Sequence, residues 1–120
     1  MRPTVLIVDD HAGFRDMARR MLEIDGFEVV AEAVDAAGAL AAAQEHRPQL
    51  VLLDVQLPDL DGFAVAEELA LGAFPPVVVL TSSRSASEYG SRVGRSPAHG
   101  FVPKAELSGP ALAELFDATP

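Results

Sequence analysis

Leu50-Val51-Leu52-Leu53-Asp54 is four aliphatic residues followed by a carboxylate, with Pro48 just before. The run is strand length, too short for a helix, and lacks polar alternation. It therefore reads as a strand buried on both faces, as in a parallel sheet covered by helices. The pattern repeats on either side. Val5-Leu6-Ile7-Val8 ends in Asp9-Asp10, and the run from Val77 to Leu80 ends in Thr81. Val29-Val30-Ala31 and Phe101-Val102 read as two weaker strands. Pro103 has no N–H to give a ladder, which places the fifth strand at an edge.

Helical patterns fill the intervals. Phe14, Met17, Ala18, Met21 and Leu22 share one helical stripe, with Arg19 and Arg20 late in the helix to suit its dipole and Gly26 to end it. Asp35 can cap a second helix from Ala36 to about His46, closed by Pro48. Asp61 can cap a third, with Phe63, Ala66, Leu69 and Ala70 inward and Gly72 and Pro75-Pro76 at its end. Gly90 and Gly94 each cost a helix about 1 kcal/mol against alanine, so any fourth helix over 85–95 should be short and loose. Ser108 and Pro110 can open a last helix carrying Leu112, Leu115 and Phe116. Five β–α units of this kind predict an α/β fold, a three-layer doubly wound sandwich with a parallel sheet.

The bulk numbers fit one domain spanning residues 1–120. The chain has a mass of 12.7 kDa and 49% hydrophobic residues, enough for a real core. Its 18 acidic and 9 basic side chains give a formal charge of −9. That excess argues against direct binding of nucleic acid or an anionic membrane. With no cysteine, disulfides, thiolate metal sites and Cys nucleophiles are excluded. The opening Met1-Arg2-Pro3-Thr4 leads into an apolar run too short for a signal peptide, and no stretch reaches membrane-span length, so the cytoplasm is the expected location.

In a doubly wound sheet, ligands sit outside the carboxyl ends of the strands. Those ends carry Asp9 and Asp10, Asp54, Thr81 with Ser82 and Ser83, and Lys104. Each alone has a bland role: Asp10 as a helix cap, Thr81 as a strand-end hydroxyl, Lys104 as a solvated amine. Together they differ. Carboxylates about 5 Å apart repel by roughly 3 kcal/mol per pair at an effective dielectric of about 20. A divalent cation would remove that repulsion, and hard oxygen donors suit Mg²⁺ or Mn²⁺. Beside them, Lys104 and Thr81 suit a phosphoryl group, with Asp54 either a ligand or the nucleophile.

Four fragments in order resemble the receiver domain of bacterial two-component response regulators. They are Val8-Asp9-Asp10-His11, the segment from Leu53 through Asp54 and Pro58 to Gly62, Val79-Leu80-Thr81-Ser82, and Gly100-Phe101-Val102-Pro103-Lys104. The resemblance covers essentially the whole chain and is closest to receivers of NarL/LuxR-type regulators. It implies a CheY-like, flavodoxin-like sheet of order 2-1-3-4-5. It implies that Asp54 takes a phosphoryl group from a sensor histidine kinase or phosphotransfer protein, as a switch limited to its own phosphoryl transfer and autodephosphorylation. Asp10, Asp54 and the Gln56 backbone carbonyl would bind Mg²⁺ directly and Asp9 through water. Lys104, Thr81 and the Ser82 backbone N–H would hold the phosphoryl oxygens. Thr81 and Phe101 would form the switch pair. An output domain or downstream protein would read the surface of the fourth helix, fifth strand and fifth helix, on a monomer or a phosphorylation-dependent dimer.

The chain also shows departures from the family pattern. Ala105 follows the lysine where many receivers carry proline, so a cis bond there would cost about 2.5–4 kcal/mol. Phe101 has no hydroxyl, so a switch there works by packing. Gln56 and Ser83 hold positions thought to tune dephosphorylation.

Other readings have less behind them. A Mg²⁺-dependent phosphohydrolase lacks a spare acid or base. An FMN carrier would set Asp9 and Asp10 against the phosphate. An interaction module independent of phosphorylation leaves the five site residues unexplained. A Ca²⁺ loop at Asp59-Leu60-Asp61-Gly62 meets Leu57 where a ligand is needed. His11, His46 and His99 read as ordinary surface or loop histidines.

Overall fold

Every strand of the computed structural model, which describes residues 2–118, presents alternate side chains to two helical layers. The strands are β1 (Thr4–Val8), β2 (Glu28–Ala33), β3 (Leu50–Asp54), β4 (Val77–Ser82) and β5 (Gly100–Pro103). They pair in parallel in the order β2-β1-β3-β4-β5. The first and last residues of the expected 1–120 domain lie outside the described residues.

Leu6, Val8, Val51, Leu53, Val78 and Leu80 face one layer. There they meet Ala36 and Ala39 of α2 (Ala36–His46) and Phe63, Val65, Ala66 and Leu69 of α3 (Gly62–Ala70). Val5, Ile7, Leu50, Leu52 and Val79 face the other. They cover Ala18 and Leu22 of α1 (Ala12–Ile24) and Leu112 of α5 (Gly109–Asp117). Because β1, β3 and β4 are covered on both sides, they must be apolar throughout, which is why they read as unbroken runs. β5 lies at the edge, where Pro103 is tolerated.

The expected caps are present. Asp35 accepts from Gly38 N–H at 2.7 Å, Asp61 from Ala64 N–H at 2.9 Å and Ser108 from Ala111 N–H at 3.1 Å. Asp59 adds a second acceptor at the start of α2, taking the Ala36 and Ala37 N–H groups at 2.8 and 3.1 Å. Gly26 leaves α1 at φ 91°, a conformation that favours glycine.

Several details differ from the sequence reading. Met17 is exposed, because the buried stripe of α1 is centred on Ala18 and Leu22. Ala70 is exposed and Val65 is buried in its stead, the helix being turned toward α2. β2 is longer than Val29–Ala31 because it follows β1 to its end. Arg19 and Arg20 are mid-helix. Arg19 is drawn to Glu32 at 2.8 Å and Glu23 at 3.7 Å, not to the last carbonyls. The 85–95 segment, by contrast, is as short as its glycines led one to expect: a single 3₁₀ turn, Ala86–Tyr89, and a four-residue helix, α4 (Arg92–Arg95). Gly90 separates them at φ 60°. The Lys104–Ala105 bond is trans.

Candidate functional site

Parallel pairing sets Asp54 of β3 beside Thr81 of β4, and Ser82 beside Pro103, one residue before Lys104. β1 ends at Val8, directly before Asp9. The strand ends thus deliver the carboxylates, the hydroxyl and the ammonium to one edge. One oxygen each of Asp9, Asp10 and Asp54 and a ring nitrogen of His11 all lie within 4.8 Å of one another. Asp9, Asp54 and Thr81 are buried, and Asp10 lies at the rim.

Lys104 Nζ stands 2.6 Å from Asp9 Oδ2 and 3.5 Å from Asp54 Oδ2, so one ammonium bridges two buried carboxylates. Asp9 Oδ2 is held by charge alone, since no donor meets it in hydrogen-bond geometry. The amine also lies over the Phe14 ring, 4.4 Å from its centroid. Burial pushes the Asp54 carboxyl up from 3.8 to about 6, and the charge on Asp9 adds to the effect. The Gln56 N–H, 3.2 Å from Asp54 Oδ1, and Lys104 pull it back only in part. Thr81 Oγ1 is fully buried and has no hydrogen-bond partner. A buried orphan hydroxyl costs free energy that a ligand oxygen would recover.

Asp10 does not cap α1. The N-cap is His11, whose side chain makes no capping bond to the helix. Backbone contacts hold the β1–α1 loop instead. Asp9 Oδ1 accepts the His11 N–H at 2.8 Å, and Arg15 Nη1 donates to the Asp9 carbonyl at 2.7 Å. Glu32 fixes that guanidinium through Arg15 Nε at 2.9 Å. On the other side Gly62 packs so closely that a Cβ there would lie 2.4 Å from the Asp54 carbonyl oxygen. Asp59 and Asp61 are engaged at helix starts, and Asp61 also meets Arg92 at 2.6 Å, so neither joins the acidic set.

The model of the response regulator receiver domain matches residues 5–115. The chain belongs to the response regulator receiver family. As a receiver domain of two-component response regulators it has the CheY-like, flavodoxin-like fold. It is similar to the virulence transcription regulator BvgA of Bordetella pertussis, 38% identical over 102 residues, 85% of this chain and 49% of BvgA. The chemotaxis protein CheY of Bacillus subtilis is 44% identical over 69 residues, 58% of each chain. Among solved structures, the signal receiver domain of NarL from Mycobacterium tuberculosis superposes with a TM-score of 0.87 at 30% identity over 98% of both chains. The receiver spans about half the length of BvgA.

The receiver's geometry brings Asp9, Asp10, Asp54 and Lys104 together and sets Thr81 beside Asp54 in the sheet. Gln56 reaches the site through its backbone N–H. Phe101 is half-buried, its ring centroid 5.9 Å from that of Tyr89. Two histidines prove less ordinary than their sequence positions indicate. His11 Nδ1 lies 3.0 Å from both Asp9 Oδ1 and Asp10 Oδ1. His99 Nδ1 accepts the Val78 N–H at 3.0 Å beside the start of β5. Sequence reading also missed Arg15, Phe14 and Tyr89. Among the described residues no helix is long and apolar enough to cross a membrane.

Proposed function

We propose that this receiver is a phosphoacceptor switch in which Asp54 takes a phosphoryl group from a histidine of a sensor kinase or phosphotransfer protein. The observation that carries this reading is the buried Thr81 hydroxyl without a partner, beside a buried Asp54 that shares Lys104 with Asp9. An anion bearing several oxygens at that point would take a hydrogen bond from Thr81 and charge compensation from Lys104.

With its pKa at about 6, Asp54 is largely ionised at neutral pH and carries a free lone pair. A carboxylate oxygen of Asp54 attacks phosphorus. The P–N bond to the donor imidazole breaks, its electrons stay on that nitrogen, and the nitrogen takes one proton from water, so the donor leaves as neutral imidazole. The product is an acyl phosphate. Lys104 Nζ and Thr81 Oγ1 hold the transferring oxygens, with the Ser82 backbone N–H as a third donor. Asp10, Asp54 and the Gln56 carbonyl are the residues that would hold Mg²⁺ or Mn²⁺, with Asp9 acting through water. When bound there, such an ion would supply positive charge to the phosphoryl oxygens. The donor set fits a hard cation: three clustered carboxylates, one of them with an oxygen no hydrogen-bond donor satisfies.

The reading carries further proposals. Thr81 and Phe101 form the switch pair. The α4-β5-α5 face meets an output domain or a downstream protein, as a monomer or a phosphorylation-dependent dimer. The protein acts in the cytoplasm, touches neither nucleic acid nor membrane itself, and turns over no substrate beyond its own acyl phosphate. The test is intact mass after incubation with acetyl phosphate and Mg²⁺. One phosphoryl adduct is expected on the wild type and none on Asp54→Ala. An adduct that survives the substitution, or none on either chain, refutes the assignment.

A further inference from the structure

Tyr89 is the chain's one tyrosine, and its hydroxyl lies 2.6 Å from Ser82 Oγ, on the residue after Thr81. Ser82 is fully buried, and its Oγ also accepts the Arg84 N–H at 3.1 Å. The two bonds pin the chain as it leaves β4. The Tyr89 ring packs edge-on against Phe63, with centroids 5.5 Å apart, and tilted against Phe101 at 5.9 Å. Tyr89 thus touches the residue beside the orphan hydroxyl and the aromatic ring of the proposed switch.

The segment Tyr89 belongs to has little else to hold it. Its 3₁₀ turn is four residues long and buries no residue, Gly90 follows at φ 60°, and α4 is a further four residues with none buried. Helices so short do not persist on their own hydrogen bonds. Val93 packs half-buried against the core, and two further side chains make directed contacts with the body. One is Tyr89. The other is Arg92, which reaches Asp61 at 2.6 Å and lies over the Phe63 ring at 4.4 Å. The Arg92 tie is exposed to water and so is weak. The Tyr89–Ser82 bond is the sheltered one, and only it reaches the phosphoryl edge.

We infer that Tyr89 is a positioning residue for the phosphoryl site. Through Ser82 it holds the end of β4 and the 83–95 segment in the arrangement of the unmodified chain. It supplies the aromatic hydroxyl that Phe101 lacks, from a different element. The inference rests on the phosphoacceptor reading and adds to it the group that sets how readily the site accepts a phosphoryl ligand. If the bond belongs to the unmodified arrangement alone, losing it makes the phosphoryl-bound arrangement easier to reach, by about five-fold for one neutral hydrogen bond.

The test is beryllofluoride, a phosphoryl analogue, titrated with Mg²⁺ into the full chain and three variants: Tyr89→Phe, Ser82→Ala and the double. Tyr89→Phe keeps the ring contacts, so it isolates the hydroxyl. Tyr89→Phe should bind beryllofluoride about five-fold more tightly, Ser82→Ala, which also frees the Arg84 N–H, at least as tightly, and the double should match Ser82→Ala, in which the Tyr89 bond is already lost. Amide exchange over 83–95 should quicken in all three without ligand. Urea midpoints accompany the titrations, since a merely structural bond would lower stability and leave affinity unchanged. Affinities within two-fold of wild type, weaker binding, or effects that multiply in the double each overturn the inference. A wild type that binds no beryllofluoride removes the phosphoacceptor reading itself and the inference with it. A wild type that binds while the variants do not differ removes only the role of Tyr89.

Discussion

Replacing Asp54 by asparagine should make the metal-free protein more stable at neutral pH. The side chain is buried, with Asp9 close by and Lys104 only partly compensating, so its folded pKa is about 6 against an ordinary value of 3.8. A carboxyl whose folded pKa is raised binds more protons folded than unfolded between those values. Stability therefore falls as pH rises through that window and stays low above it. About two units, at 1.36 kcal/mol each, amount to roughly 3 kcal/mol near pH 7.5. Asparagine keeps the shape and is always neutral. Asp54→Asn should exceed wild type by about 3 kcal/mol near pH 7.5, by about half that near pH 5, and by little below about pH 4. Urea unfolding followed by far-ultraviolet circular dichroism, with a chelator present, measures the gap. Magnesium at about 100 times its dissociation constant should then raise wild type by roughly 2.7 kcal/mol and nearly close it, while the variant responds less. A wild type as stable as the variant at neutral pH without metal would refute the claim that Asp54 is held as a strained anion.

Two further outcomes follow from the same contacts. Lys104→Met leaves Asp9 and Asp54 facing each other without a cation, so the metal-free protein should lose about 2–4 kcal/mol at neutral pH, and the Asp54 carboxyl, followed by NMR, should titrate above its wild-type value. Gly62→Ala places a Cβ 2.4 Å from the Asp54 carbonyl oxygen and 2.8 Å from Val55 Cα, both backbone atoms. The urea midpoint should drop by an amount equivalent to about 2 kcal/mol or more; a neutral result would mean that the loop is looser than the packing indicates.

The strands and their ends were legible because burial on both faces leaves a plain signature: an apolar run, then the first polar residue. Asp9, Asp54 and Thr81 sit where they do for that reason, and Lys104 follows the edge strand that Pro103 marked. The capping residues Asp35, Asp61 and Ser108 were legible because a cap is a local interaction within four residues. Arg15 on the Asp9 carbonyl was not, because a backbone acceptor has no sequence signature. Nor was Phe14 beneath Lys104, since the two are distant in the chain and meet only when α1 and β5 are placed. Tyr89 was hidden for a third reason. Its segment is too glycine-weakened for periodicity to assign it a face, so its direction is set by Phe63, Phe101 and Ser82. Errors within helices, Met17 and Ala70, came at the margins of a stripe, where a small rotation decides exposure.

The one lysine among nine basic residues stands where a lysine differs most from arginine. An arginine at position 104 would offer a planar fork, and a carboxylate such as Asp9 would grip it in two parallel bonds. A guanidinium so held has little freedom to turn to a new oxygen. The ammonium of Lys104 is a point charge on a flexible stem, 2.6 Å from one carboxylate and 3.5 Å from another, with an aromatic face below it. In the proposed switch it would pass between Asp9, Asp54 and an arriving phosphoryl oxygen without breaking a bidentate pair. Eight arginines elsewhere do the opposite kind of work where they pair: Arg15 and Arg19 grip Glu32 from α1, and Arg92 grips Asp61. On the proposed reading, the residue choice separates contacts that hold the fold from a contact that is exchanged.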